Sequence, residues 1–202
     1  MDEEDGAVRA AAAERSPARK QRSDGLRNRE RLIEAAKAVF AATGPEVSLE
    51  EIARRAGVGI GTLYRHFPTR ETIVAAVYRH EVEQLAESAE RLLASTTPGE
   101  ALHQWLLLCV DYLATKKVIV QALSASAVSE IYAASGAPIT ETITLLTERA
   151  RASGDIRPDA DPEDVMRALI GFTYGATDPA WATSARRLID ILMDGLKSPR
   201  QS

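Results

Sequence analysis

The residues with the most chemistry to offer stand close together in Gly61-Thr62-Leu63-Tyr64-Arg65-His66, with Arg70 four positions on. Arg65 can donate two parallel hydrogen bonds to O6 and N7 of a guanine, and Thr62 can meet a thymine methyl or a phosphate. Gly61 lets backbone approach a duplex, while Tyr64, His66 and Arg70 suit phosphate oxygens. On a helix turning about 100° per residue, Leu63 and Phe67 fall beside Ile60 on one apolar face, with Tyr64 at its edge. Gly61, Thr62, Arg65 and His66 fall opposite. A short helix with such a polar side fits a major groove about 12 Å wide. The chemistry predicted is noncovalent readout of double-stranded DNA.

Local signals upstream and downstream explain how that helix is presented. Ser48-Leu49-Glu50-Glu51 reads as a capping box: the Ser48 hydroxyl accepts from the amide of Glu51 while the Glu51 carboxylate reaches back. It opens a helix of about two turns that ends at Gly57, the residue best able to take a left-handed conformation. Ala53, four residues before Gly57, permits a close helix crossing, and Val58 and Leu63 wedge the pair apart. A third short helix over about 60–67 stops at Pro68. Before this unit, a first helix follows Ser23-Asp24, carries Leu32, Ala36, Val39 and Phe40 on one face and ends at Gly44-Pro45. After it, Thr69 caps a long helix with the stripe Ile73, Val74, Val77, Tyr78, Val82, Leu85, Ala89 and Leu92. Thr97-Pro98-Gly99-Glu100 is a second capping box, and helical patterns continue over about 117–134, 138–152, 162–175 and 180–196. Strand signals are absent, so the fold expected is all-α, with about nine helices.

Composition narrows the function classes. The 202 residues are 45% hydrophobic and 27% charged, which describes a globular chain. The longest uninterrupted apolar stretch, Trp105 to Val110, is far short of the roughly 20 residues of a spanning helix, and no signal peptide opens the sequence. The expectation is a cytoplasmic protein without a membrane partner. One cysteine, Cys109, and three histidines in unrelated contexts exclude a disulfide scaffold and a zinc finger. No metal, cofactor or catalytic group is expected, and the chain does not read as an enzyme. The net charge of −4 hides an asymmetry: residues 1–5 hold four acids, residues 6–70 hold 13 Lys and Arg against 7 Asp and Glu, and residues 71–202 hold 12 against 18. Eight cations between Arg9 and Arg31 read as a flexible basic arm able to meet phosphates.

The segment Gly61-Thr-Leu-Tyr-Arg-His-Phe-Pro-Thr-Arg-Glu71, preceded by Ser48-Leu-Glu-Glu-Ile-Ala-Arg-Arg-Ala-Gly-Val58, closely resembles the DNA-binding domain of the TetR family of bacterial transcriptional regulators. The resemblance spans about residues 26–80. It implies a three-helix head joined to a larger helical domain that binds a small effector and dimerises. It also implies operator phosphate contacts at Thr62, Tyr64, His66 and Arg70 and base-facing positions at Ile60, Gly61 and Arg65. Ser48, at the start of the unit, joins these candidates. The organisation expected is a charged arm over 1–24, a helix-turn-helix domain over 25–70, and an effector-binding and dimerisation domain over 71–202.

In the larger domain, Trp105, Cys109, Tyr112, Leu123, Tyr132, Phe172 and Tyr174 concentrate aromatic and soft apolar side chains, and are candidates for an effector pocket as well as for plain core. Ala168, Gly171, Gly175 and Ala185, with Leu188 and Leu192, would let the last two helices approach a partner closely. By resemblance they form the dimer interface, and a twofold dimer predicts a roughly palindromic operator. The partners expected are operator DNA, a second copy of the chain and a small, largely apolar effector that releases a repressor. A helical scaffold, or an activator without effector, would use the same elements.

Overall fold

The computed structural model describes residues 17–44, 46–120, 125–173 and 180–197. They form eight helices: α1 (Pro17–Thr43), α2 (Leu49–Ala56), α3 (Ile60–His66), α4 (Arg70–Ser95), α5 (Pro98–Val120), α6 (Ala125–Ala152), α7 (Pro162–Thr173) and α8 (Trp181–Leu196). Among the described residues the extended structure is one antiparallel bridge between Ile156 and Lys197. The fold is all-α, as the spacing predicts.

Several boundaries differ from the expectation. α1 begins at Pro17, earlier than the Ser23-Asp24 start. Proline is well suited to a first helical position, and the Arg, Lys and Gln that follow are good helix formers, so part of the predicted arm joins the helix. α6 runs straight through Pro138, where two helices were expected. A proline inside a helix forfeits one backbone bond. Burial of Ile143, Leu146 and Ala150 holds the following turns in place. Neither carboxylate completes its predicted capping box. Glu51 is engaged by Arg54 at 2.6 and 2.7 Å, and Glu100 accepts from Gln104 at 2.7 Å. The hydroxyl halves persist: Ser48 accepts from the Glu51 amide at 3.2 Å and Thr97 from the Glu100 amide at 3.3 Å. For Glu51 the charged partner one turn on outcompetes the neutral cap amide.

Two buried clusters share α4. Leu32, Ile33, Ala36, Val39 and Phe40 of α1, Ile52 and Ala53 of α2, and Leu63 and Phe67 close a first core with Ile73, Val74, Ala76 and Val77. From Tyr78 onward the stripe of α4 turns into a second core with Trp105, Leu106 and Cys109 of α5, Ile143 and Leu146 of α6, Leu169 of α7, and Ala185, Ile189 and Met193 of α8. The stripe predicted from Ile73 to Ala89 is buried throughout, with Leu92 half-buried. One long helix is therefore a wall of both units, and its apolar repeat does not pause between them.

Candidate nucleic-acid interface

The presentation of α3 begins at the end of α2. Gly57 takes φ 65° and ψ 36°, and two backbone bonds close the turn: the Gly57 amide donates to Arg54 at 3.1 Å and the Val58 amide to Ala53 at 3.0 Å. That reciprocal pair is the αL termination expected from the sequence. Ala53 is buried, Val58 packs against the head core and Leu63 is fully buried, so the wedge holds as predicted. α3 starts from Gly59 in extended conformation, and the Phe67 amide donates to the Leu63 carbonyl at 2.8 Å as the helix stops.

α3 and its C-cap turn Leu63 and Phe67 inward; Ile60, Gly61, Tyr64 and Arg65 are exposed, and Thr62 and His66 are half-buried. Tyr64 is 45% exposed and Ile60 38%, although the helical wheel sets both beside the apolar face. The helix is less than two full turns long and buries Leu63 alone within its span, so it shields only a narrow line of its surface. Gly61 is exposed, and a Cβ there would meet no neighbouring atom within 4 Å. Arg65 is exposed, its guanidinium 3.4 Å from the Thr62 hydroxyl, so the two groups share one patch of surface. His66 is half-buried; burial chiefly, then the charges of Arg65 and Arg29, hold its imidazole below the ordinary value.

Two candidate contacts also carry local structure. Ser48 caps α2, as above. The Arg70 guanidinium donates to the carbonyl of Val47 at 2.7 Å, tying the start of α4 to the loop before α2. Thr69 and Thr72 exchange backbone-to-hydroxyl bonds at 3.2 and 3.3 Å, a completed cap on α4. Sequence reasoning missed two cations on α1, counting them only as arm charge. The Arg31 guanidinium donates to the carbonyls of Ala56 and Gly57, and Arg29 lies over the Phe67 ring at 5.5 Å. Both stand just before Leu32, the first buried side chain of α1 among the described residues, and that register was the available signal.

In the larger domain, Trp105, Cys109 and Tyr112 of the predicted pocket are packed into the second core. The Trp105 indole donates to the Leu85 carbonyl at 2.8 Å, Tyr112 tilts against Tyr78 with ring centroids 5.6 Å apart, and burial pushes the Cys109 thiol well up. Phe172 is half-buried against the same cluster. Leu123, Tyr174 and Gly175 lie outside the described residues, as does the side chain of Tyr132. On the predicted interface, Gly171 is open, Leu188 exposed, and Ala168 and Leu192 half-buried. Ala185 is a correction: it is fully buried, because α8 turns Ala185, Ile189 and Met193 into the chain's own core at four-residue intervals. Among the described residues no helix is long and apolar enough to cross a membrane.

Comparison with known proteins agrees with this geometry. Residues 32–77 match the family model for bacterial regulatory proteins of the tetR family, and residues 97–198 match that for the C-terminal domain of SbtR-like transcriptional regulators. The chain is similar to the TetR transcriptional regulator SCO0520 from Streptomyces coelicolor, with 40% identity, a TM-score of 0.73, and coverage of 84% of this chain and 98% of that one. It is 26% identical over 165 residues to the transcriptional repressor KstR of Mycolicibacterium smegmatis, covering 81% of this chain and 80% of the relative. A further match, at 29% identity, is to the transcriptional regulator SAR0097 of Staphylococcus aureus, of which the chain spans about half the length (53%). An outward-facing helix after a glycine turn, a shared α4 and matches in both halves together assign the chain to the TetR family of bacterial transcriptional regulators.

Proposed function

We propose that this DNA-binding regulator is a cytoplasmic repressor that occupies its operator as a homodimer and is released by a small, largely apolar effector. The observation that carries the DNA reading is the division of α3: Leu63 and Phe67 are buried in the head while Ile60, Gly61, Tyr64 and Arg65 face outward. In this reading Arg65 reads a base edge, and Ile60 and Gly61 lie against the groove floor. Thr62, Tyr64 and His66 meet phosphates on either side, and Ser48 and Arg70 meet them from the flanking helix starts. Repression is supported by the likeness to a protein named as a repressor.

A homodimer is supported by an apolar surface on the last two helices: Ile191 is 67% exposed, Ile170 55% and Leu188 40%, with the open glycines Gly171 and Gly195 among them. Small residues beside large apolar ones suit close packing of a second copy. Effector binding is supported by the second core, where the Thr147 hydroxyl is fully buried without a hydrogen-bond partner among the described residues. Such a group offers an apolar occupant its one polar contact. The residues assigned to that site, Trp105, Cys109, Tyr112, Leu123, Tyr132, Phe172 and Tyr174, act by binding; no catalytic role is assigned to any of them.

The experiment is duplex binding by the purified chain with operator fragments selected from genomic DNA. Arg65→Ala is expected to cost about 1–3 kcal/mol on the preferred site and to relax its sequence preference, while Tyr64→Ala weakens all duplexes alike. Folded variants that bind as the parent does would identify a helical scaffold instead.

A further inference from the structure

A group of polar side chains lies where the two cores meet, and neither core accounts for it. α1 sends Leu32, Ile33, Ala36, Val39 and Phe40 into the head, while Glu34 and Lys37 lie on another side of the helix, toward α4. There they meet His80, Glu81 and Gln84, within two turns of Val77, the last head-core residue of α4. The Lys37 ammonium stands 2.5 Å from Glu81 and 3.4 Å from the amide oxygen of Gln84. The His80 Nε2 lies 2.9 Å from Glu34 Oε1 and 2.9 Å from Gln84 Nε2. A single ring nitrogen cannot donate to the carboxylate and accept from the amide at once. Because Lys37 holds the amide oxygen, the Gln84 amino group stays turned toward the ring, so the cluster has two exclusive hydrogen-bonding arrangements.

We propose that Glu34 and Lys37, gripping His80, Glu81 and Gln84, form a latch that fixes the tilt of the DNA-reading head on α4. The inference rests on the DNA-binding reading above. The tilt sets where α3 points, and in a twofold dimer it sets the separation of the two recognition helices. Part-exposed ion pairs of this kind add little to stability, whereas side chains from two helices held at a helical interval constrain rotation of one helix over the other. Glu34, Lys37, His80, Glu81 and Gln84 are therefore positioning residues for operator recognition.

The test uses the full chain and duplexes carrying two half-sites at the selected spacing, the same half-sites one and two base pairs further apart, and a scrambled duplex. Glu34→Ala/Lys37→Ala removes the latch from the α1 side, and His80→Ala/Gln84→Ala weakens it from the α4 side. Each is expected to shrink the preference for the selected spacing by about fivefold or more, with affinity for the scrambled duplex unchanged. Combining all four is expected to match Glu34→Ala/Lys37→Ala alone, because that pair already cuts the whole link. Glu34→Gln/Lys37→Arg, which keeps an acceptor and a cation, retains the preference. Should loss of Lys37 leave Glu81 unpaired and unfold the chain, the His80→Ala/Gln84→Ala pair keeps that ion pair and decides alone. Folded variants that retain the parent's spacing preference, or that weaken equally at every spacing, overturn the latch. A parent chain that ignores every duplex overturns the DNA-binding reading and the latch with it.

Discussion

The head and the larger domain handle their distinctive side chains in opposite ways. α3 leaves Tyr64 and Arg65 uncovered on a helix anchored by two buried residues, whereas α5 commits Trp105, Cys109 and Tyr112 wholly to the interior. A surface that must fit a duplex of fixed geometry has its groups preset and open to water. An interior that surrounds a small molecule uses the same apolar side chains for cohesion and for contact. In the proposed reading, function is therefore separable from packing in residues 32–77 and entangled with it in the larger domain.

The largest effect that would break this comparison is at Trp105. Its side chain is fully buried and hydrogen-bonded to Leu85, so Trp105→Ala is expected to cost about 3–5 kcal/mol in chemical denaturation. A loss below about 1 kcal/mol would mean that the indole borders open space already, and that the interior is less cohesive than its burial states.

The second effect sharpens the comparison from the side of the head. Gly57→Ala places a Cβ at φ 65° and 2.9 Å from the Arg31 guanidinium. A penalty of about 1–2 kcal/mol is expected, measured by thermal unfolding, with duplex affinity falling further than stability because the turn aims α3. Equal losses of both would show that the turn supports folding only.

The smallest effect is at His66. Its imidazole is held below the ordinary value in the free chain, so the neutral form is favoured there. A nearby phosphate raises that value, so binding takes up a proton and duplex affinity is expected to rise modestly as pH falls below about 6.5. The folded chain follows the opposite sign: the stability that His66 contributes is present above the unfolded value and fades as pH falls through the folded one. His66→Asn should flatten the affinity profile, which a titration at constant ionic strength would read.

How much of this was legible in the sequence follows from where the physics is local. The Gly57 turn, the Ser48 and Thr69 caps and the α4 stripe are decided by neighbours within a few residues, and they stand where the spacing places them. What escaped depends on distant partners. Arg31 finds carbonyls 25 and 26 residues away, and Arg70 one 23 residues away. Ala185 has the small side chain of an interface residue, yet it is the phase of α8 against α5 and α7 that turns it inward. Pro138 carries a strong local signal for a break, which burial of Ile143, Leu146 and Ala150 on its C-terminal side overrides.

The hold of Arg31 on the carbonyls of Ala56 and Gly57 bears on what can be cut from this molecule. Those oxygens stand at the C-terminal end of α2, and their donor comes from a helix that would be lost in any excised bihelical peptide. A miniature reader built from residues 48–67 would expose the bend to solvent and lose its aim, so a working miniature must retain the opening helix along with the two joined by the glycine turn.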